Sequence, residues 1–121
     1  MINTKIKVTN MELTDVIQTY AEEKMSSVER LLGKDSDALI EIELEKTTNH
    51  HKQGDIFRAE ANVTIEGKLY RVEATKDDLY AAVDKVKKEL LRTVRRRKNR
   101  HTAMVRRGSQ AIKGMMKRFK R

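Results

Sequence analysis

The amino-acid sequence predicts an α+β fold: a four-stranded sheet with two helices packed on one face, a two-layer sandwich in the order β-α-β-β-β-α. Three observations carry this. Four stretches alternate apolar and polar residues with the period of two that a half-buried strand needs. Two others repeat apolar residues at helical spacing. Cap and turn residues fall between them. A sheet with one apolar face and two amphipathic helices is stable when both helices cover that face.

The first strand holds Ile2, Ile6 and Val8 among Thr and Lys. Helix one spans about Thr14–Leu32. Thr14 is the expected N-cap and Asp15 sits at the positive helix end. Val16, Ile17, Tyr20, Ala21, Val28, Leu31 and Leu32 recur at helical spacing, and Gly33 is the stop signal. In Ala38–Thr47, Ile40, Ile42 and Leu44 alternate with Glu41, Glu43 and Glu45, a strand with one wet, acidic face. A loop, Thr48–Asp55, leads to Phe57–Ile65, where Phe57, Ala59, Ala61, Val63 and Ile65 alternate with polar residues. Glu66-Gly67-Lys68 is a tight turn, and Leu69–Thr75 returns as an antiparallel partner with Tyr70, Val72 and Ala74 on one face. Lys76-Asp77-Asp78 opens the second helix. Its apolar stripe is Leu79, Ala82, Val83, Val86, Leu90 and Val94, and it runs from Asp78 to about His101. Past His101, Gly108 and Gly114 weaken helix formation. The domain organisation is therefore 1–101 as one α+β domain and 102–121 as a basic tail, read either as an amphipathic helix or as a segment that orders on binding a partner.

Composition narrows the function classes. The chain has 121 residues, 38% hydrophobic and 37% charged, with no cysteine. Disulfides, thiolate metal sites and cysteine nucleophiles are excluded. No apolar run approaches the ~18 residues of a membrane span, and the N-terminus lacks a signal-peptide plan, so the cytosol is the expected compartment. The histidines are His50, His51 and His101, without the spacing of a metal site. The carboxylates Glu41, Glu43 and Glu45 read as a solvated face. Neither GxxxxGK[ST] nor GxGxxG occurs. The chain is not expected to be an enzyme, and no cofactor, metal or small-molecule substrate is expected.

Charge is the informative signal. The net charge of +9 is unevenly spread: residues 85–121 hold sixteen Lys and Arg against Glu89 alone, a balance of +15, while residues 1–84 sum to −6. Arg92, Arg95, Arg96, Arg97, Lys98 and Arg100 crowd a few helical turns. Such like-charge crowding is destabilising unless an anion neutralises it, and nucleic-acid phosphate does so with counterion release. Arginine suits bidentate phosphate contact. Aromatic content is only 4%, which argues for recognition of RNA shape and backbone over base stacking. The layer argument yields an acidic sheet face and a basic helical face, so the helices would turn toward phosphate.

Asp78-Leu79-Tyr80-Ala81-Ala82-Val83-Asp84, followed by Leu90, Arg92 and the basic run, resembles the D-[ML]-Y-x-A-[IV]-D helix of the ribosome hibernation promoting factors. That family is also called protein Y, ribosome-associated inhibitor or sigma-54 modulation protein. Asn10-Met11-Glu12-Leu13-Thr14 is similar to its N-x-E-[IV]-T entry to helix one, and Lys24 and Glu29 match its usual lysine and acid. The resemblance covers roughly residues 1–100. Val8 stands where glycine is frequent, and Ser27 where lysine is common. The resemblance implies binding to the small ribosomal subunit and its rRNA, in the mRNA and tRNA channel near the decoding centre, with translation inhibited during stress or stationary phase. Its implied rRNA contacts are Lys24, Lys85, Lys88, Arg92, Arg96, Lys98 and Arg100; charge alone adds Arg95 and Arg97. Asp78, Tyr80, Ala82 and Asp84 read as capping and packing residues. Long family members carry a further domain that pairs ribosomes. No dedicated dimerisation domain is expected in this chain, read as a short form or an N-terminal fragment. The alternatives are a double-stranded-RNA binder and an anionic-membrane-surface module built on Thr102–Arg121, although a membrane partner is not the expected one.

Overall fold

Every stretch of period two forms a strand, and both helical-period stretches form helices. The computed structural model describes the backbone of residues 1–34, 36–47 and 54–119 and the side chains as far as residue 108. The elements are β1 (Ile2–Thr9), α1 (Asp15–Leu32), β2 (Ala38–Thr47), β3 (Ile56–Ile65), β4 (Lys68–Lys76) and α2 (Leu79–Phe119). They build a mixed sheet in the order β1-β2-β3-β4. β1 pairs parallel to β2, because a whole helix separates them, and the other pairings are antiparallel.

Register places the core. Thr4, Ile40, Val63 and Tyr70 form one cross-strand row, Ile6, Ile42, Ala61 and Val72 the next, and Val8, Leu44, Ala59 and Ala74 a third. These rows face the helices. Ala21, Met25, Val28 and Leu32 of α1, with Leu79, Ala82, Val83, Val86, Leu90 and Val94 of α2, close over them and are buried. The alanines of β3 and β4 leave room for α2 to lie close to the sheet. Val16, grouped by its spacing with the apolar stripe of helix one, is instead exposed, because it lies off the face of Ile17, Ala21, Met25 and Val28 that meets the core.

Local signals decide the joints. Asn10, first residue of the N-x-E-[IV]-T segment, has φ 57°, the left-handed region that asparagine tolerates better than other side chains. The Thr14 hydroxyl accepts a hydrogen bond from the Ile17 amide at 3.2 Å. Gly33 ends α1 at φ 91°, ψ 158°, a conformation open essentially to glycine alone. Glu66 and Gly67 both have positive φ, 50° and 80°, the two-residue hairpin whose twist matches the strands. At the start of α2, the Asp78 carboxylate accepts from the Tyr80 amide at 3.2 Å.

Two further expectations change. α2 does not stop near His101 but continues to Phe119, 41 residues or roughly 60 Å. No proline interrupts it, and each interior glycine costs only about 1 kcal/mol. The outer sheet face is also not an acidic plate. Lys5, Lys7, Arg58 and Arg71 alternate onto the same face as Glu41, Glu43, Glu45, Glu60 and Glu73. Arg58 reaches Glu45 (3.7 Å), Glu60 (2.6 Å) and Glu73 (2.5 Å), and Arg71 reaches Glu60 at 2.8 Å. Burial by itself would push the Glu60 carboxyl up. Hydrogen bonds from Arg58 and Asn62 and the charges of Arg71 and Arg58 outweigh it and hold it below the ordinary range. The two hydrogen bonds from Arg58 to Glu73 and Glu60 raise the guanidinium in turn. His50 and His51, considered as metal ligands, lie outside the described residues.

Candidate nucleic-acid interface

Burial sorts the basic residues of α2. Val86, Leu90 and Val94 face the sheet, and no described residue after Val94 is buried. Opposite them, Lys85, Lys88, Arg92 and Arg95 lie at spacings of three and four along an exposed stripe. Arg92, Arg96 and Arg100 form a second row at four-residue steps. Each step turns about 40° past a full revolution, so this row winds from the outward face toward β4. Among the described residues, Lys88, Arg92, Arg95, Arg96 and Arg100 make no ion pair. Lys85 stands 4.0 Å from Glu89, one turn on. Unpaired guanidiniums at this density repel one another and favour an anion that can contact several at once.

The other three candidates are engaged within the molecule. Lys24 lies 3.5 Å from Asp84 and 5.1 Å from the centroid of the Tyr20 ring. It belongs to a cluster on the α1–α2 seam in which the Tyr20 hydroxyl donates to Asp84 at 2.6 Å. That hydrogen bond, with burial and the Asp84 charge, pushes the Tyr20 phenol up to about 12. The Tyr80 ring packs edge-on to Tyr20 at 4.7 Å between centroids. The tyrosine and aspartates of the second-helix segment thus cap and join the helices. Lys98 donates to the Leu31 carbonyl at 2.7 Å, a cation at the negative end of α1. Arg97 pairs with Glu66 at 3.0 Å, tying α2 to the β3–β4 turn.

The structure also brings in residues that spacing and motif do not single out. Arg106 and Arg107 are exposed on the same continuous helix. Their charge is visible in the sequence, but a helix ending at His101 does not carry them. Lys68 lies beside the α2 arginines because β4 runs under them, and no local pattern brings strand and helix end together.

The chain's similarities agree with this fold. The family model described as Sigma 54 modulation protein / S30EA ribosomal protein matches residues 4–102. A ribosome hibernation promotion factor of Staphylococcus aureus is 32% identical over 113 residues, 93% of this chain and 57% of that protein. One from Deinococcus radiodurans is 30% identical over 92 residues, 76% of this chain and 47% of that protein. The chain therefore spans about half the length of the curated relatives it matches. Among solved structures, the N-terminal domain of Thermus thermophilus protein Y superposes with a TM-score of 0.64 at 33% identity, covering 76% of this chain and 93% of that one. A ribosomal subunit interface protein from Coxiella burnetii, 18% identical, shares the fold with a TM-score of 0.63, over 80% of this chain and 98% of that one. With its helix, sheet order and residues 4–102 matching in this way, the chain belongs to the Sigma 54 modulation protein / S30EA ribosomal protein family.

Proposed function

We propose that this chain is a ribosome-binding, non-catalytic inhibitor of translation that acts in the cytoplasm by occupying the small subunit's mRNA and tRNA channel near the decoding centre. The observation that carries the reading is the row Lys88, Arg92, Arg95, Arg96 and Arg100, exposed and without ion pairs among the described residues. Such a row contacts phosphates and positions a rigid domain without reading sequence. The sheet and α1 hold α2 stiff, so its cations meet rRNA without first losing conformational freedom. Occlusion asks only for shape, charge and a small folded body. The relatives named ribosome hibernation promotion factor support ribosomes as the partner.

The test is co-sedimentation with purified small subunits through a sucrose cushion. A chain with Arg92→Ala, Arg96→Ala and Arg100→Ala is expected to stay in the supernatant at physiological salt while keeping the wild-type circular dichroism spectrum. Undiminished pelleting of that variant would falsify the assignment. Excess duplex RNA that displaced the chain as effectively as free subunits do would move the reading to a general double-stranded-RNA binder.

A further inference from the structure

The core-facing stripe of α2 changes character where the sheet ends. Leu79, Val83, Val86, Leu90 and Val94 are apolar and buried, and the next positions at the same spacing are Arg97, His101 and Met104. Arg97 is half-buried, while His101 and Met104 are exposed along the rim of a groove that is open to solvent on one side. All three overhang the inner face of β4, where Lys68 pairs with Ile65 and Tyr70 with Val63 on the helix side of the sheet. The result is a groove of about 400 Å³ between α2 and β4, lined by Lys68, Tyr70, Arg96, Arg100, His101 and Met104 and completed by Thr93 and Arg97.

Its chemistry is two-sided. Lys68, Arg96 and Arg100 project charge into it, and none of the three makes an ion pair among the described residues. Arg97 is already turned to Glu66, so it frames the groove and leaves the other cations to a ligand. The ring of Tyr70, with the Lys68 ammonium 5.4 Å from its centroid, and the thioether of Met104 supply apolar walls. Clefts of roughly 300–1,000 Å³ with apolar walls and a few convergent polar groups are the usual form of small-ligand sites. Cations on one side and an aromatic and a thioether on the other match a nucleotide: phosphate toward Arg96, Arg100 and Lys68, base against Tyr70 and Met104.

The geometry points to a nucleotide-binding groove between α2 and β4, taking one nucleoside phosphate unit through Lys68, Tyr70, Arg96 and Arg100. The unit comes either from a free nucleotide or from one residue of an RNA strand. The groove is concave and sized for one such unit, unlike the convex stripe of Lys88 and Arg92. It goes beyond the ribosome-binding reading and does not require it, because the titration that tests it contains only the chain and nucleotides.

The experiment is a fluorescence titration of the full chain with N-methylanthraniloyl-ADP, competed by unlabelled ADP, inorganic phosphate and a tetraribonucleotide. Saturable binding of one probe per chain is expected. Lys68→Ala and Arg100→Ala should each weaken it by about tenfold, the loss of one charge-assisted contact. Tyr70→Leu should weaken ADP but leave competition by inorganic phosphate unchanged. Lys5→Ala, which removes an equal charge from the opposite sheet face, should bind as the wild type. A tetranucleotide that competes tenfold better than ADP identifies an RNA strand as the source, and equal competition identifies a free nucleotide. Absence of saturable binding by both, or an equal loss in Lys5→Ala and Arg100→Ala, overturns the proposal. Failure to pellet with ribosomes alongside intact ADP binding would overturn the ribosome reading alone.

Discussion

The two outward faces of this molecule carry comparable numbers of cations and use them in opposite ways. On the sheet, Lys5, Lys7, Arg58 and Arg71 stand among five glutamates, and Arg58 bridges three of them. On α2, Lys88, Arg92, Arg95, Arg96 and Arg100 face outward with no acid across from them among the described residues. Arg58 and Arg71 pair with Glu45, Glu60 and Glu73, and Lys5 and Lys7 have Glu41 and Glu43 across from them in register, whereas the five helix cations make no ion pair among the described residues. Charge density therefore does not mark a binding surface. What marks it is charge left unpaired on a rigid element, where the field adds over neighbouring turns.

Removing charge from each face in turn separates the two most directly. Arg92→Ala, Arg96→Ala and Arg100→Ala together should weaken ribosome binding by roughly a hundredfold and lower the salt slope of log K by about three. The thermal midpoint should hold, since all three side chains are exposed. Arg58→Leu should do the reverse. Glu60 loses its main hydrogen-bond donor in a half-buried setting, and urea denaturation should show a loss of about 1–3 kcal/mol with ribosome binding unchanged.

Titration distinguishes the ion-paired regions further. Because Glu60 is held below the ordinary carboxylate range, its stabilising contribution is complete above that range and is lost as pH falls through its lowered value. The urea midpoint of the wild type should decline toward acid more steeply than that of Glu60→Gln. The Tyr20 phenol behaves with the opposite sign. Pushed up to about 12 by its bond to Asp84, it stabilises the fold below the ordinary tyrosine value of about 10 and ceases to do so as pH rises toward 12. Tyr20→Phe should cost about 1 kcal/mol at neutral pH and flatten that alkaline decline. The smallest effect belongs to Gly108→Ala. An added methyl meets nothing within 4 Å there, and helix content should rise with a gain of about 0.5–1 kcal/mol.

Much of the fold is legible residue by residue. The alternation of Ile40, Ile42 and Leu44 with glutamates locates β2, Thr14 and Gly33 bound α1, and Glu66-Gly67 locates the last hairpin. These are signals of the nearest few neighbours, which is where backbone sterics and hydrogen bonding act. The end of α2 is not legible in this way, because a glycine is a weak breaker once neighbouring turns are good helix formers, as Met104, Arg106, Arg107, Gln110 and Ala111 are around Gly108. The acidic-plate expectation fails at Arg58 and Arg71. Which glutamates an arginine meets depends on cross-strand register, and register is a property of paired strands.

The candidate interface divides the same way. That a basic helix would present cations is written in the spacing of Lys85, Lys88, Arg92 and Arg95, because 3.6 residues per turn is a local constant. Which cations remain unpaired is a matter of packing: α1 brings the Leu31 carbonyl to Lys98, its seam with α2 puts Asp84 within reach of Lys24, and the β3–β4 turn brings Glu66 to Arg97. The groove over Tyr70 likewise exists only because α2 outruns the sheet and β4 begins beneath it. Short-range patterning settles the elements and their faces, since each depends on a few adjacent residues. Ion pairing across tens of residues needs the folded body, since only there do distant side chains come within a few ångströms.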